Sequence, residues 1–166
     1  SWSSAIHGVI RVICESEGWE CGRYFGRDEK ADVLVMNEFW HMPSAGLSRF
    51  IEQSRELSYS AGSGLIGRVW QSGQPLWVTD IGKDRRIHMG VARQAGMHGP
   101  FIFPVVSEGK PVGVLSFHSS RIREPEERLF VEQCIDDARR SEALVELGGD
   151  IIDPGLRPDI LARDDN

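Results

Sequence analysis

Apolar positions three and four residues apart predict a helix near the start of the chain. This spacing places one set of side chains on a single buried face, and Gly18 ends the pattern. Two runs rich in aromatic and β-branched residues follow, WECGRYFGR and DVLVMNEFWH, and a polar turn at residues 28–30 joins them, which predicts a β-hairpin. The apolar set of the helix is Ile6, Val9, Ile10, Ile13 and Cys14.

The rest of the chain continues to mix helical and strand patterns. Spaced apolar residues predict a helix over 44–58, and a glycine-rich stretch then leads into a short helix and a strand over 76–81. Residues 83–96 suggest a helix or a helical loop. The runs HGPFIFPVV and PVGVLSFH predict a second hairpin at the centre of the sheet. A long amphipathic helix is predicted over 125–145, with a proline at its start.

These elements predict an α+β domain in which helices pack on one face of an antiparallel sheet of five or six strands. After Leu147 the composition changes to glycine, proline and aspartate, which is typical of a linker. The chain therefore divides into a domain over 1–147 and a linker or tail over 148–166.

The stretch GSGLIGRVWQSGQPLWVTDI contains a G-x-G-x-x-G motif, formed by Gly62, Gly64 and Gly67. A dinucleotide site needs a buried strand before the motif and a helix of several turns after it. The preceding residues are mostly polar, and Gly73 and Pro75 leave room for only about two helical turns. The glycines are therefore interpreted as a tight entry into a short helix.

The composition and charge of the chain exclude several classes of protein function. A hydrophobic fraction of 40% and a charged fraction of 27% are those of a soluble globular protein, and the net charge of −6 argues against nucleic acid as a partner. No apolar run is long enough to span a membrane, so this segment is expected to be cytoplasmic. The three cysteines form no C-x-x-C pair and the histidines no H-E-x-x-H motif, so neither a disulfide framework nor a metal site is predicted.

The order and spacing of four patterns resemble a GAF domain over roughly residues 5–147. The patterns are GWECGRYF, GLIGRVWQSGQPLWVTDI, FIFPVVSEGKPVGVLSF and REPEERLF. The resemblance implies terminal helices on one face of the sheet and a ligand-cavity region of loops and helices on the other. It also implies a sensory module of a bacterial signalling protein of the histidine kinase or diguanylate cyclase type, with the tail leading toward an output domain.

The resemblance also lets the ligand and cofactor patterns of the family be compared with this sequence. Members that attach a bilin or reduce free methionine sulfoxide use cysteines in the segment after the third strand, and this chain has no cysteine between Cys21 and Cys134. HSSRIREPEE lacks the asparagine and lysine of the cyclic-nucleotide pattern, which disfavours that ligand. Haem bound by His88 or His98, an amino acid, and no ligand at all are each compatible with the sequence, so no cofactor is assigned.

A small-molecule pocket with aromatic walls and a few polar anchors is implied by the resembling fold. Aromatic residues in strands more often fill a core, and the pocket would then be filled by the protein's own side chains. The expected ligand-binding residues are Trp40, Trp70, Trp77, Asp80, His88, Met89, Phe101 and Phe103.

The first and last helices are expected to form a homodimer and to relay a signal through the helix over 125–145. The main alternative is a purely structural dimerisation module with a self-filled cavity. A third hypothesis, a small oxidoreductase, requires turnover that depends on Cys21. We otherwise expect no enzyme activity.

Overall fold

A computed structural model describes residues 2–78, 95–107 and 109–121, and the backbone of residues 159–161. The described helices are α1 (Trp2–Glu17), α2 (Ala45–Ser54) and α3 (Gly64–Ser72). The strands are β1 (Cys21–Asp28), β2 (Val33–His41), β3 (Ser58–Tyr59), β4 (Leu76–Val78), β5 (Phe101–Ser107), β6 (Lys110–His118) and β7 (Asp159–Leu161).

The strands form one sheet in the order β3-β2-β1-β6-β5-β4-β7. All neighbours among the first six are antiparallel, and β7 adds to the outer edge of β4 in the parallel direction. The two predicted hairpins are β1–β2 and β5–β6, and the central pairing of β1 with β6 joins them. The predicted α+β class with an antiparallel sheet is confirmed. No local pattern predicted β7, which lies within the segment interpreted as a linker.

Helix α1 buries the face that its sequence spacing predicts, including Ile6, Ile10 and Cys14. It packs on the sheet over Gly22, where an added Cβ would lie 2.5 Å from Ile10 Cγ2 and 2.9 Å from the Phe117 ring. The absent side chain of Gly22 therefore lets the helix lie close to β1.

Helix α2 is shorter than the sequence predicts. It begins after Ser44, whose side chain accepts a hydrogen bond from the Leu47 amide, as an N-cap residue does. It ends at Ser54 rather than continuing to Ser58, because Ser58 pairs with Val35 in the sheet. The predicted end of this helix at residue 58 is therefore wrong. The sequence could not show it, because the pairing of Ser58 depends on tertiary structure.

The sheet separates two hydrophobic cores. The α1-side core includes Trp19, Tyr24, Phe101, Phe103 and Phe117 together with the buried face of α1. The α2-side core consists of buried residues of α2 and α3 and of the opposite sheet face, including Phe25, Phe50, Ile66, Ile102 and Val114. Helix α1 lies on the opposite face of the sheet from α2 and α3, as expected, whereas the last helix, which is expected on the same face as α1, lies outside the described residues.

Two predicted elements, the helix or helical loop over 83–96 and the long helix over 125–145, lie largely or wholly outside the described residues. Within the part of the chain that the structure describes, no helix is long and apolar enough to cross a membrane.

Candidate functional site

The aromatic residues predicted to surround a ligand lie on both faces of the sheet. Trp77, Phe101 and Phe103 are buried in the α1-side core, and Trp40 packs against that core. Trp70 instead packs against the α2-side core. The five described residues therefore do not all line one cavity, because Trp70 lies on α3 and the sheet separates it from the other four. Their contact with a ligand stays a prediction.

The aromatic rings of the α1-side core pack directly against one another. Phe103 lies 5.1 Å from Phe101 and 5.6 Å from Phe117 between ring centroids, and Trp77 lies 5.7 Å from Phe101. These separations are those of directly packed rings. The remaining predicted ligand-binding residues, Asp80, His88 and Met89, are outside the described residues.

The glycine motif has the geometric role that its sequence context indicates. Gly62 and Gly64 both have positive φ angles, 82° and 62°, which favour glycine. An added Cβ at Gly67 would collide with the carbonyl oxygen of Ser60. The following helix has nine residues and the preceding strand only two, so this is not a dinucleotide-binding βαβ unit.

A polar cluster, not predicted from the sequence, lies between α2 and the sheet. We call Arg23, Ser54, Ser116 and His118 the Arg23 cluster. Arg23 projects from β1 and is 1% exposed, and the other three residues are fully buried. Arg23 Nη1 donates to Ser54 Oγ at 2.9 Å, and Nη2 lies 3.0 Å from His118 Nε2. The Ser116 hydroxyl lies 3.4 Å from the same histidine nitrogen.

Aromatic rings hold the guanidinium of Arg23 in place. Its central carbon lies 4.5 Å from the Phe50 ring centroid and 5.0 Å from that of Phe25. Phe50 also contacts the His118 ring edge-on, with centroids 5.3 Å apart. Both arginine contacts are within the range of cation–π attraction. The rings therefore restrict the orientation of both polar side chains.

Burial determines the charge of this cluster. It lowers the pKa of Arg23, although arginine still keeps its charge in proteins. Burial, and then the positive charge of Arg23, hold the pKa of His118 well below its usual value of 6.5. His118 is therefore neutral at physiological pH, so its Nε2 accepts from Arg23 and its proton is on Nδ1.

Burial leaves one donor of the cluster, Arg23 Nε, without a hydrogen-bond partner. The N–H of the His118 ring forms a backbone hydrogen bond with His98, although its geometry is poor. Among the residues described by the structure, no carboxylate forms an ion pair with Arg23. A buried cation with unsatisfied donors is uncommon, because a charge or polar group in a protein interior normally has partners.

The described thiols are unsuited to catalysis. Cys14 and Cys21 are buried thiols that form no disulfide. Burial raises the pKa of Cys21 to about 12, which the nearby charge of Arg23 only partly offsets, so this residue is a protonated thiol at neutral pH. Over the described ranges, no group of three or more His, Cys, Asp or Glu side chains could hold a metal ion.

A separate groove of about 470 Å³ opens at the edge of the α1 face. Tyr24, Arg27 and Glu38 contribute to its lining. Arg27 is half exposed and paired with Asp32 at 3.0 Å, so its charge is already balanced. This groove therefore lacks the unsatisfied charge of the Arg23 cluster.

The comparisons with known proteins agree on the family. The family model described as "GAF domain" matches residues 2–139. No curated protein matches the chain at a significant level.

Several solved structures share the fold at low sequence identity. The free methionine-R-sulfoxide reductase of Neisseria meningitidis, in complex with its substrate, is 19% identical, with a TM-score of 0.62 over 89% of this chain and 81% of that one. The GAF domain of a phosphoenolpyruvate-protein phosphotransferase from Coxiella burnetii is 21% identical, with a TM-score of 0.60 over 88% and 85%. The A. aeolicus Nlh2 GAF domain in an inactive state is 17% identical, with a TM-score of 0.63 over 82% and 79%. From the extent of the family match and the sheet described above, we conclude that this chain belongs to the GAF domain family.

Proposed function

We propose that this chain is the sensory module of a cytoplasmic signalling protein and binds a small molecule on the α2 side of its sheet. GAF domains as a family are sensory and signalling modules. The observation that carries the proposal is the buried Arg23, which has an unsatisfied donor and no carboxylate partner among the described residues. Binding sites tolerate such unbalanced groups because the ligand completes them.

The packing of the α1 side supports this location. Its centre is occupied by the rings of Trp77, Phe101, Phe103 and Phe117, all of which are at most 3% exposed. A ligand there would have to displace tightly packed aromatic residues, whereas the α2 side contains the Arg23 Nε donor, which an added acceptor would satisfy.

We propose that ligand binding biases the predicted helix over 125–145, which passes the change to an output domain of the histidine kinase or diguanylate cyclase type. We further propose that α1 and this helix form a homodimer. A ligand transmits a signal only if its affinity differs between two states of the module.

In this proposal the module is not an enzyme. The reductase from Neisseria meningitidis acts on free methionine-R-sulfoxide, and its likeness to this chain supports a common fold. Reduction by a thiol requires an accessible thiolate. Cys14 and Cys21 are both buried, the pKa of Cys21 is raised to about 12, and the sequence has no cysteine between Cys21 and Cys134.

A purely structural dimerisation module is the second candidate. The self-filled aromatic packing of the α1-side core favours it, because that face needs no ligand. The two candidates differ in whether a small molecule accompanies the protein.

Native mass spectrometry of freshly purified protein, compared with its denatured mass, tests the proposal. We expect an excess mass that is lost on denaturation. A bare dimer at the sequence mass would favour the structural module instead. The Ile135→Glu variant tests the dimer, since it places a charge on an apolar position of the predicted last helix, and an unchanged dimer would argue against that interface.

A further inference from the structure

The hydrogen bonds of the Arg23 cluster show what is missing from it. The Ser54 hydroxyl donates to the Phe50 carbonyl at 2.8 Å and accepts from Arg23, so its only proton is already used. His118 accepts from Arg23 through Nε2, and its ring N–H has a backbone hydrogen bond with His98. A guanidinium has five N–H donors, and the one on Nε of Arg23 has no acceptor. The cluster therefore lacks an acceptor at Arg23.

The charge of the cluster is also unbalanced. Both described hydrogen-bond partners of Arg23 are neutral, and the guanidinium is 1% exposed. Among the described residues, the acidic groups whose charge would act on Arg23 are the Tyr59 phenol and the Cys21 thiol, and neither is a carboxylate. An isolated charge in a protein interior is costly unless an opposite charge accompanies it. The missing acceptor should therefore carry negative charge.

The geometry of the N–H groups on the Nε edge of Arg23 further limits the class of ligand that can bind. The Phe25 and Phe50 rings restrict the guanidinium, so its Nε edge has a fixed direction. The Nε–H and a neighbouring N–H of a guanidinium form a planar fork that matches the two oxygens of a carboxylate. One carboxylate balances one guanidinium, whereas a phosphate dianion would leave an excess negative charge in the apolar α2-side core.

We propose that the ligand of this module is a small molecule with a carboxylate group, which binds to the Nε edge of Arg23. This inference rests on the proposed sensory function and adds the chemical class of the ligand. It assigns a binding role to Arg23, and a positioning role to Ser54, His118, Phe25 and Phe50.

The first test uses native mass spectrometry on three proteins: the unmodified chain, Arg23→Met and Arg27→Met. Arg27 is a matched control because it lies on the same strand, is half exposed and pairs with Asp32. We expect an excess mass in the unmodified chain and in Arg27→Met, its absence from Arg23→Met, and loss of carbon dioxide when the released ligand is fragmented. An excess mass retained in Arg23→Met would overturn the inference while leaving the proposed sensory function intact.

The second test uses sodium acetate as the probe and measures the melting temperature against sodium chloride and sodium phosphate at equal ionic strength. We expect acetate to raise the melting temperature of the unmodified chain and of Arg27→Met above the value in either other salt, and to have no such effect on Arg23→Met. If a carboxylate of the chain itself already balances Arg23, acetate will give no advantage over chloride, and the inference is then wrong. An equal effect of phosphate would overturn the carboxylate class.

Arg23→Lys keeps the test decisive if Arg23→Met fails to fold. It retains the positive charge but lacks the planar fork. We expect it to lose the acetate-specific rise in melting temperature. A rise equal to that of the unmodified chain would show that the fork is not used. Absence of both an excess mass and any acetate effect in the unmodified chain would count against the sensory function as well.

Discussion

Lowering the pH from about 7 to about 5 should weaken the folded state through the buried His118 imidazole. In the folded chain its pKa lies well below 6.5, first because the ring is fully buried and then because the Arg23 charge is adjacent. Phe50 and Ser116 also contact the ring without supplying negative charge, and a backbone hydrogen bond with His98, which raises the pKa, has a smaller effect than burial or the Arg23 charge. Protonation would remove the Nε2 acceptor and place a second cation beside the first.

The sign and the size of this change in folding stability follow from proton linkage. The unfolded chain binds a proton on this histidine near a pKa of about 6.5, whereas the folded chain excludes it. Stability is therefore complete above about pH 6.5 and is lost as the pH falls below it. Integration from about pH 7 to about pH 5 gives a loss of about 2 kcal/mol when the folded chain takes up no proton on His118 over this range.

Urea unfolding at a series of pH values measures this loss. Other groups also titrate, so the unmodified chain should be compared with His118→Gln, whose amide oxygen can still accept from Arg23 but does not titrate. We expect the difference in unfolding free energy between the two proteins to shift by about 2 kcal/mol in favour of the variant at low pH. Parallel pH profiles would show that His118 takes up its proton in the folded state, and would refute the assignment of a neutral imidazole.

Three further predictions concern packing and reactivity. Phe103→Ala should lower the free energy of unfolding by about 3–5 kcal/mol in urea titrations, because the ring is fully buried and packed on Phe117, and a loss below about 1 kcal/mol would contradict that packing. Gly22→Ala should lower the free energy of unfolding by about 1–3 kcal/mol, because the added methyl group would collide with Ile10 Cγ2. Ile10→Leu removes that Cγ2 methyl group and should recover part of the loss in the double variant. If the effects of the two substitutions on stability simply add, the contact is refuted. Cys21 should react with a thiol reagent far more slowly in the folded than in the denatured protein at mildly alkaline pH, and equal rates would contradict its burial and its pKa of about 12.

The sequence predicted those parts of the fold that depend on local spacing. The apolar face of α1 contains Ile6, Val9, Ile10, Ile13 and Cys14 in both sequence and structure, because a three-four repeat fixes one side of a helix. Both hairpins were predicted for the same kind of reason. By contrast, β7 depends on the proximity of residues 159–161 to β4, and no local pattern indicates that contact.

The candidate site was not found from sequence because strand alternation does not show what covers each face. Arg23 shares one face of β1 with Cys21 and Phe25, but a charged residue in a strand is usually interpreted as exposed to solvent. Here α2 covers that face and Ser54 meets the guanidinium. Conversely, Phe101 and Phe103 were expected in a pocket and lie in the opposite core. The sequence did contain one indication of the site: a charged residue on the same strand face as two apolar residues, in a strand that is covered on both faces.

The Arg23 cluster also has a consequence for the way in which the sheet assembles. The hydrogen bond between Arg23 and His118 joins residues 95 apart in sequence, across the central pairing of the two hairpins. If β1 slipped by one residue along β6, every side chain of β1 would change face, and Arg23 would enter the aromatic α1-side core without Ser54 or His118. An unpartnered cation there would be strongly unfavourable. The same arginine that we assign to ligand binding therefore also excludes misaligned pairing when the two halves of the sheet dock during folding.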